Sequence, residues 1–375
     1  MMNAVYFDSS TDDGINYMLS RWKREAPGGA CLALVAEYNK NDVSALQQTA
    51  NKIGYPLLGA MFPELIANGD FHKQGVVLMY FPQRPRYWLL PELPQDSDFI
   101  NRQLDELVAS IRQSSTPESS LFMIFDGMVP NIATILEKMY LRLSNNVNYF
   151  GVNAGSERFQ PMPSLFDNEQ YVGNGLLACL LPNHPGAMLA HDYRIPQMQV
   201  TATATEGNRI ASINWRPAFE VYQEMVQQHY DVEITPENFY EYGVHFPFGI
   251  SRLGGDQLVR IPVALQGDGS LFCVGEVQVN TLLTVSNAVP AGSDETACKI
   301  GAYAREIDGK VALSFYCAGR RMHLNGGASA ELRTLVQHAE PKQLFGALSL
   351  GQIGSVGNSN YPLFHNAAVI AAPWQ

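Results

Sequence analysis

The sequence contains no cysteine pair at CxxC spacing. Its five cysteines, Cys31, Cys179, Cys273, Cys298 and Cys317, are an odd number scattered over 375 residues. Neither a disulfide framework nor a thiolate zinc site is indicated. Basic residues are scarce: 25 Lys and Arg stand against 36 Asp and Glu, a formal net charge of −11. No Lys/Arg run exists to follow a phosphate backbone, which argues against nucleic acid and anionic membranes as partners. No apolar run reaches a membrane span, and the longest candidates are cut by Pro182 and Pro185. The polar, acidic start Met1–Gly14 has no signal-peptide pattern. A soluble, cytoplasmic protein is expected. GxSxG, HExxH and Walker patterns are missing. The eight histidines share no metal-ligand spacing, so a surface or hydrogen-bonded core role is the default for each.

What is present is a repeated sentence. Near the C-terminus, Leu344–Ser355 is followed by a polar turn Val356–Tyr361, then Pro362–Asn366 and the apolar run Ala367–Ala372. This predicts a hairpin with Gln352, His365 and Asn366 as polar groups inside apolar segments. Such groups need partners, from the protein or from a ligand. An earlier copy runs from Tyr55-Pro56-Leu57-Leu58-Gly59-Ala60 through Ala67-Asn68-Gly69-Asp70 to Gly75–Phe81. A weaker copy starts at Asn148–Gly155 and returns at Gly173–Leu181. Each copy follows a helical pattern, and each helix follows a continuous apolar run of the kind buried on both faces: Ala30–Glu37, Ser120–Asp126 and Lys310–Cys317.

The predicted fold is therefore α/β in the mixed α+β sense. Two related domains are built from strand–helix–strand–strand units, with mixed sheets flanked by helices. Further helices are predicted from Asp12, capped by Thr11 or Asp12, from Asn41, over Asp96–Arg112, from Pro130 to Leu143, from Arg216 to about His229, and around Glu295–Ala304. The boundary is placed near Ala190–Met198, giving domains 1–195 and 196–375.

In α/β sheets the ligand crevice lies at the carboxyl ends of the strands. Glu37, Asp126 and Cys317 end three such strands here. Asp126 either caps the next helix or faces a ligand. Arg320 either binds a ligand carboxylate or pairs with a buried acid. Cys317 as a nucleophile would need a base and a lowered pKa, and the sequence shows neither, so a buried core cysteine is the better reading. Gly351-x-x-Gly354-x-x-Gly357 precedes a strand, not a helix, and so is no phosphate loop. In a hairpin, Gln352 and His365 face each other, and a parallel neighbour brings Arg320 to the same edge. The expected site is thus Arg320, Gln352, His365 and Asn366, with Cys317 and Asp126 nearby. His365 and, in reserve, His191 have the apolar neighbours of a haem axial ligand.

These residues carry a family resemblance. Leu57–Ala60 with Gly69 and Gly75, Phe125-Asp126-Gly127, Tyr149–Gly155, Asn214–Ala218 with Tyr222, Cys317–Arg320, and Gly346–Gly354 with His365-Asn366 together resemble the FIST sensory family. Gln352 stands where that family more often has Glu, and Trp215 where Gly is usual. The resemblance implies a FIST N-type domain over 1–195 and a FIST C-type domain over 196–375. It implies a non-catalytic bacterial sensor of a small molecule, amino-acid-like or haem with nitric oxide, working beside a histidine kinase or a cyclic-di-GMP enzyme. A homodimer is one assembly it allows. The alternatives are a cysteine-dependent enzyme using Cys317, or an interaction adaptor without a ligand.

Overall fold

A computed structural model describes residues 3–374 apart from 10–12, 94–96, 117, 195, 197, 252–256, 287–293 and 356–359. The proposed cap at Thr11 or Asp12 and Gly357 lie outside the described residues. The fold is mixed α+β, with several mixed sheets flanked by helices, and three strand–helix–strand–strand units account for most of it.

In the first unit the strand Ala30–Ala36 leads into the helix Val43–Ile53 and a parallel strand Leu57–Phe62. All residues of both strands are buried, as continuous apolar runs require. Gly54 ends the helix in the left-handed region, φ 71°, and its amide bonds the carbonyls of Ala50 and Asn51. The helix does not begin at an Asn41 cap. A short 3-10 helix over Glu37–Asp42, kinked at Asn39, precedes it instead. The return strand Val76–Phe81 is antiparallel to Ala30–Ala36. The second unit uses Ser120–Asp126, the helix Ile132–Leu143, Asn148–Ala154 and the return strand Leu176–Leu181. The third uses Val311–Cys317, the helices Ala318–Leu324 and Gly327–Ala339, Gln343–Ser349 and the return strand Val369–Trp374.

Each unit also makes a small hairpin, and none keeps its own. The hairpin Leu65–Ala67/Asp70–His72 of unit one pairs with Gln343–Ser349 of unit three. The hairpin Leu165–Asp167/Tyr171–Val172 of unit two pairs with Leu57–Phe62 of unit one. The hairpin Gln352–Gly354/Leu363–His365 of unit three pairs with Asn148–Ala154 of unit two. The exchange is cyclic and closes after three steps. Outer strands complete the pattern: Ala4–Phe7, Arg86–Leu90 and Met188–Ala190 each pair with a return strand.

One glycine in each unit lets its two parallel strands approach closely. Gly59, Gly151 and Gly346 lie opposite Ala33, Met123 and Ser314 of the parallel neighbour. A Cβ there would come within 2.2, 2.1 and 1.6 Å of the respective carbonyl oxygens. Only a residue without a side chain fits. The three sheets enclose one apolar core, where Phe62, Phe122 and Phe315, one from each unit, meet at ring-centroid distances of 5.4 and 6.3 Å.

Between units two and three the chain builds a separate antiparallel sheet of eight strands, from Val200–Glu206 to Leu282–Val285. The helix Ala218–Tyr230 packs on it through Phe219, Tyr222 and Met225. In this inserted sheet, Trp215 adopts φ 60° on an exposed turn and is 85% exposed. That backbone suits glycine.

Candidate functional site

The carboxyl ends of Ser120–Asp126 and Val311–Cys317 point toward the inserted sheet, and a cavity of about 310 Å³ lies between them and it. That volume is within the range of small-molecule pockets. Gly127 and Val129 follow the first strand, Cys317 ends the second and Gly319 follows it, and Val263 and Val274 come from the inserted sheet. The inserted sheet is fastened on two sides. The Glu276 carboxylate accepts the Thr134 amide at 2.9 Å and its hydroxyl at 2.6 Å. The Arg260 guanidinium donates to the Phe364 carbonyl at 2.8 Å and lies over its ring.

Most of the lining is apolar, which makes two polar atoms conspicuous. Asn153, 2% exposed near the end of Asn148–Ala154, and Asn208, in the turn after Gly207, both line the cavity. The Oδ1 atom of each is buried without a hydrogen-bond partner among the described residues. A buried polar atom in that state costs on the order of 1–3 kcal/mol. Glu157, another lining residue, has its carboxyl pushed up by burial, against the opposing pull of Arg321.

The residues singled out from sequence are placed around this cavity, mostly behind its wall. Arg320 is fully buried, and its five N–H groups are all engaged. Nε and Nη2 hold Glu331 at 2.9 and 2.6 Å, Nη1 reaches the carbonyls of His191 and Ala367 at 2.8 and 3.3 Å, and Nη2 also reaches Thr296 Oγ1 at 2.9 Å. The buried acid, not a ligand carboxylate, is its partner. Gln352 lies directly opposite His365, as hairpin geometry requires. Its Nε2 donates to Ser349 Oγ at 2.8 Å, and its side chain also reaches the Cys317 thiol. Asn366, at the end of the hairpin of unit three, faces the inserted sheet. With its amide nitrogen facing them, it donates to the carbonyls of Val274 and Val259 at 2.6 and 3.2 Å.

Cys317 does reach the cavity. Burial pushes its thiol pKa up, against backbone amides and Gln352 that pull the other way, and Sγ accepts the Ala367 amide at 3.1 Å. Nothing here activates it as a nucleophile. Asp126 does not cap the helix. It accepts the Met128 amide at 2.8 Å and the Ser164 hydroxyl at 2.5 Å, bracing the turn that opens the cavity, and burial raises its pKa.

The two histidines considered for iron lie close together, ring centroids 6.1 Å apart, but neither lines the cavity. His191 donates from Nε2 to the Gln257 carbonyl at 3.0 Å and accepts the Tyr193 amide on Nδ1 at 3.1 Å. Both of its nitrogens are therefore spoken for, and burial lowers its pKa. His365 is fully buried. With both ring nitrogens engaged, His191 is held as a structural residue and is not presented as an iron ligand. Among the described residues no group of three or more His, Cys, Asp or Glu is set to hold a metal ion, and no helix is long and apolar enough to cross a membrane.

Asn153 and Asn208 were not recognised as site residues from sequence. Asn153 is a lone polar residue inside the apolar segment Tyr149–Gly155, the same signal that Gln352 carries. Asn208 looked like an ordinary turn residue.

No curated protein matches the chain. Residues 31–216 match the family model of the FIST N domain and residues 218–355 that of the FIST C domain. FIST domains are signalling sensor domains, sensory rather than catalytic. The two matches meet within the inserted sheet and together span most of the chain, which thus belongs to the FIST-domain proteins.

Proposed function

We propose that the protein is a sensor whose small-molecule ligand occupies the cavity between the strand ends and the inserted sheet. The observation that carries this is the position of the cavity. It opens where two parallel βαβ units present their carboxyl ends, the place where α/β sheets bind ligands. It is closed by a sheet that is bonded to units two and three through Glu276 and Arg260, so occupancy can bias how the two parts sit. In this reading Arg320, Gln352 and Asn366 hold the walls, and the cavity itself is lined by Asn153, Asn208 and Cys317. The family resemblance supports a histidine kinase or a cyclic-di-GMP enzyme as the partner that receives the signal. The division at residues 195/196 would then separate the first two units from the part that closes the cavity.

The test uses the full chain incubated with a bacterial metabolite extract, desalted and denatured, with released small molecules identified by mass spectrometry. Ala264 lines the cavity at a part-exposed position, so Ala264→Phe should fill it without preventing folding. A molecule recovered from the wild type and lost from Ala264→Phe supports the site. The same molecule recovered equally from both sinks it. A parallel visible spectrum with added haem should show no bound Soret band.

A further inference from the structure

We infer that the ligand is a small, uncharged, largely apolar molecule carrying an amide-like hydrogen-bonding edge, recognised by the carboxamides of Asn153 and Asn208. The inference rests on the reading of the cavity as the sensory site and deepens it to a chemical class.

Three observations converge. First, buried side-chain polar atoms in folded proteins are nearly always hydrogen-bonded, yet two residues lining this one cavity each keep a buried Oδ1 with no partner among the described residues. They come from different parts of the fold, Asn153 from unit two and Asn208 from the inserted sheet. A ligand satisfying both would tie the two parts together. Second, the chemistry of a carboxamide is dual. It has a carbonyl acceptor and an NH₂ donor in one plane, so its best complement is another donor–acceptor edge, as in a primary amide or a lactam. Third, the buried cation next to the cavity is unavailable. Arg320 spends all five N–H groups on protein acceptors, two of them on the Glu331 carboxylate. The charged residues that do line the cavity, Glu157 and Arg158, are adjacent, opposite in sign and more exposed than Asn153. The remaining wall is apolar, with Val129, Ile132, Val274, Leu350 and Phe364. A fully ionised ligand would lose its hydration there without a buried counter-charge. An apolar body with a neutral polar edge would not.

The test titrates the full chain with three probes of similar size: benzamide, benzoate and ethylbenzene. Wild type, Asn153→Leu, Asn208→Leu and Ala264→Phe are compared by calorimetry and amide NMR shifts, with circular dichroism confirming the fold. Benzamide should bind the wild type at least tenfold more tightly than benzoate or ethylbenzene. Each leucine variant should weaken benzamide by tenfold or more while leaving ethylbenzene unchanged or tighter. If Asn153→Leu does not fold, Asn208→Leu, on a part-exposed turn, decides alone. Equal affinity for benzamide and ethylbenzene, benzoate binding best, or benzamide binding unmoved by the leucine variants would overturn the ligand class. If ethylbenzene binds and Ala264→Phe removes it, the cavity reading survives that failure. If no probe binds the wild type, both fall.

Discussion

The Nδ1 atom of His245, on the inserted sheet's side of the cavity, lies 2.7 Å from the Nδ1 atom of His323 in the helix Ala318–Leu324. Two imidazole nitrogens hydrogen-bond only when one carries a proton and the other does not. The contact joins the inserted sheet to unit three and cannot survive protonation of both rings. Burial lowers the pKa of His245, more than Glu241 raises it. A base with a depressed folded pKa contributes stability above its unfolded pKa and loses it as pH falls. His184 acts in the same direction. It is buried, donates to the Pro373 carbonyl at 3.1 Å and accepts the Gly186 amide, and burial drops its pKa to about 4. From an unfolded value of about 6.5, that is worth roughly 3 kcal/mol. Stability should therefore fall between about pH 6.5 and 4. His184→Gln should flatten much of that slope in urea melts. His245→Gln should remove acid-induced loosening of the inserted sheet, read by hydrogen exchange at residues 239–251 and 257–265. Identical pH profiles in all three proteins would contradict this.

Arg320 offers a stability prediction with a built-in control. Arg320→Met leaves Glu331 buried without its cation and should cost about 3–5 kcal/mol in denaturant unfolding. Adding Glu331→Leu should recover most of the loss, because no unpaired charge remains. If the single variant unfolds like the wild type, Arg320 is not the brace described here.

The three equivalent glycines should respond alike. Gly346→Ala places a methyl group 1.6 Å from the Ser314 carbonyl oxygen before relaxation, and Gly59→Ala and Gly151→Ala are nearly as tight. Overpacking of this kind costs about 1–3 kcal/mol and sometimes more. Each substitution should lower the unfolding midpoint, Gly346→Ala the most. A neutral result at any one would mean that the close strand approach is not shared by the three units.

Cysteine labelling checks the non-catalytic reading. Cys31, Cys179, Cys273 and Cys317 are buried, while Cys298 is part-exposed with His338 Nε2 at 3.4 Å. Burial raises the four buried thiols, that of Cys273 to about 12. Iodoacetamide at neutral pH should modify Cys298 first and Cys317 only on unfolding, followed by peptide mass spectrometry. Rapid labelling of Cys317 in the native protein would reopen the question of a reactive thiol.

The strand–helix–strand–strand units were legible because their signals are local. Seven-residue apolar runs, a glycine-stopped helix and a polar hairpin turn each sit within a short window. The facing of Gln352 and His365 followed from the hairpin alone. What could not be read is who pairs with whom at long range. The hairpin Leu65–Ala67 looks equally ready for its own unit or for another, and an apolar alternation does not name its neighbour. Arg320 posed two options in sequence. Its partner, Glu331, sits on the next helix and carried no mark of burial. The strand Ala4–Phe7 lies within the polar, acidic start of the chain, and four residues are too few to show a period. Trp215 was noticed only as a departure from glycine, and its positive φ supplies the physical reason that glycine is usual there.

The cyclic exchange of hairpins also sets a timetable. The hairpin Leu65–Ala67/Asp70–His72 leaves the ribosome long before the strand Gln343–Ser349 that it must join. The gap of about 270 residues corresponds to roughly 15–55 s of synthesis at ordinary rates. Throughout that interval a nearly complete first unit carries an unpaired hairpin, the kind of edge that recruits wrong partners. The nascent chain therefore has a long period of vulnerability that ends only once Gln343–Ser349 has emerged.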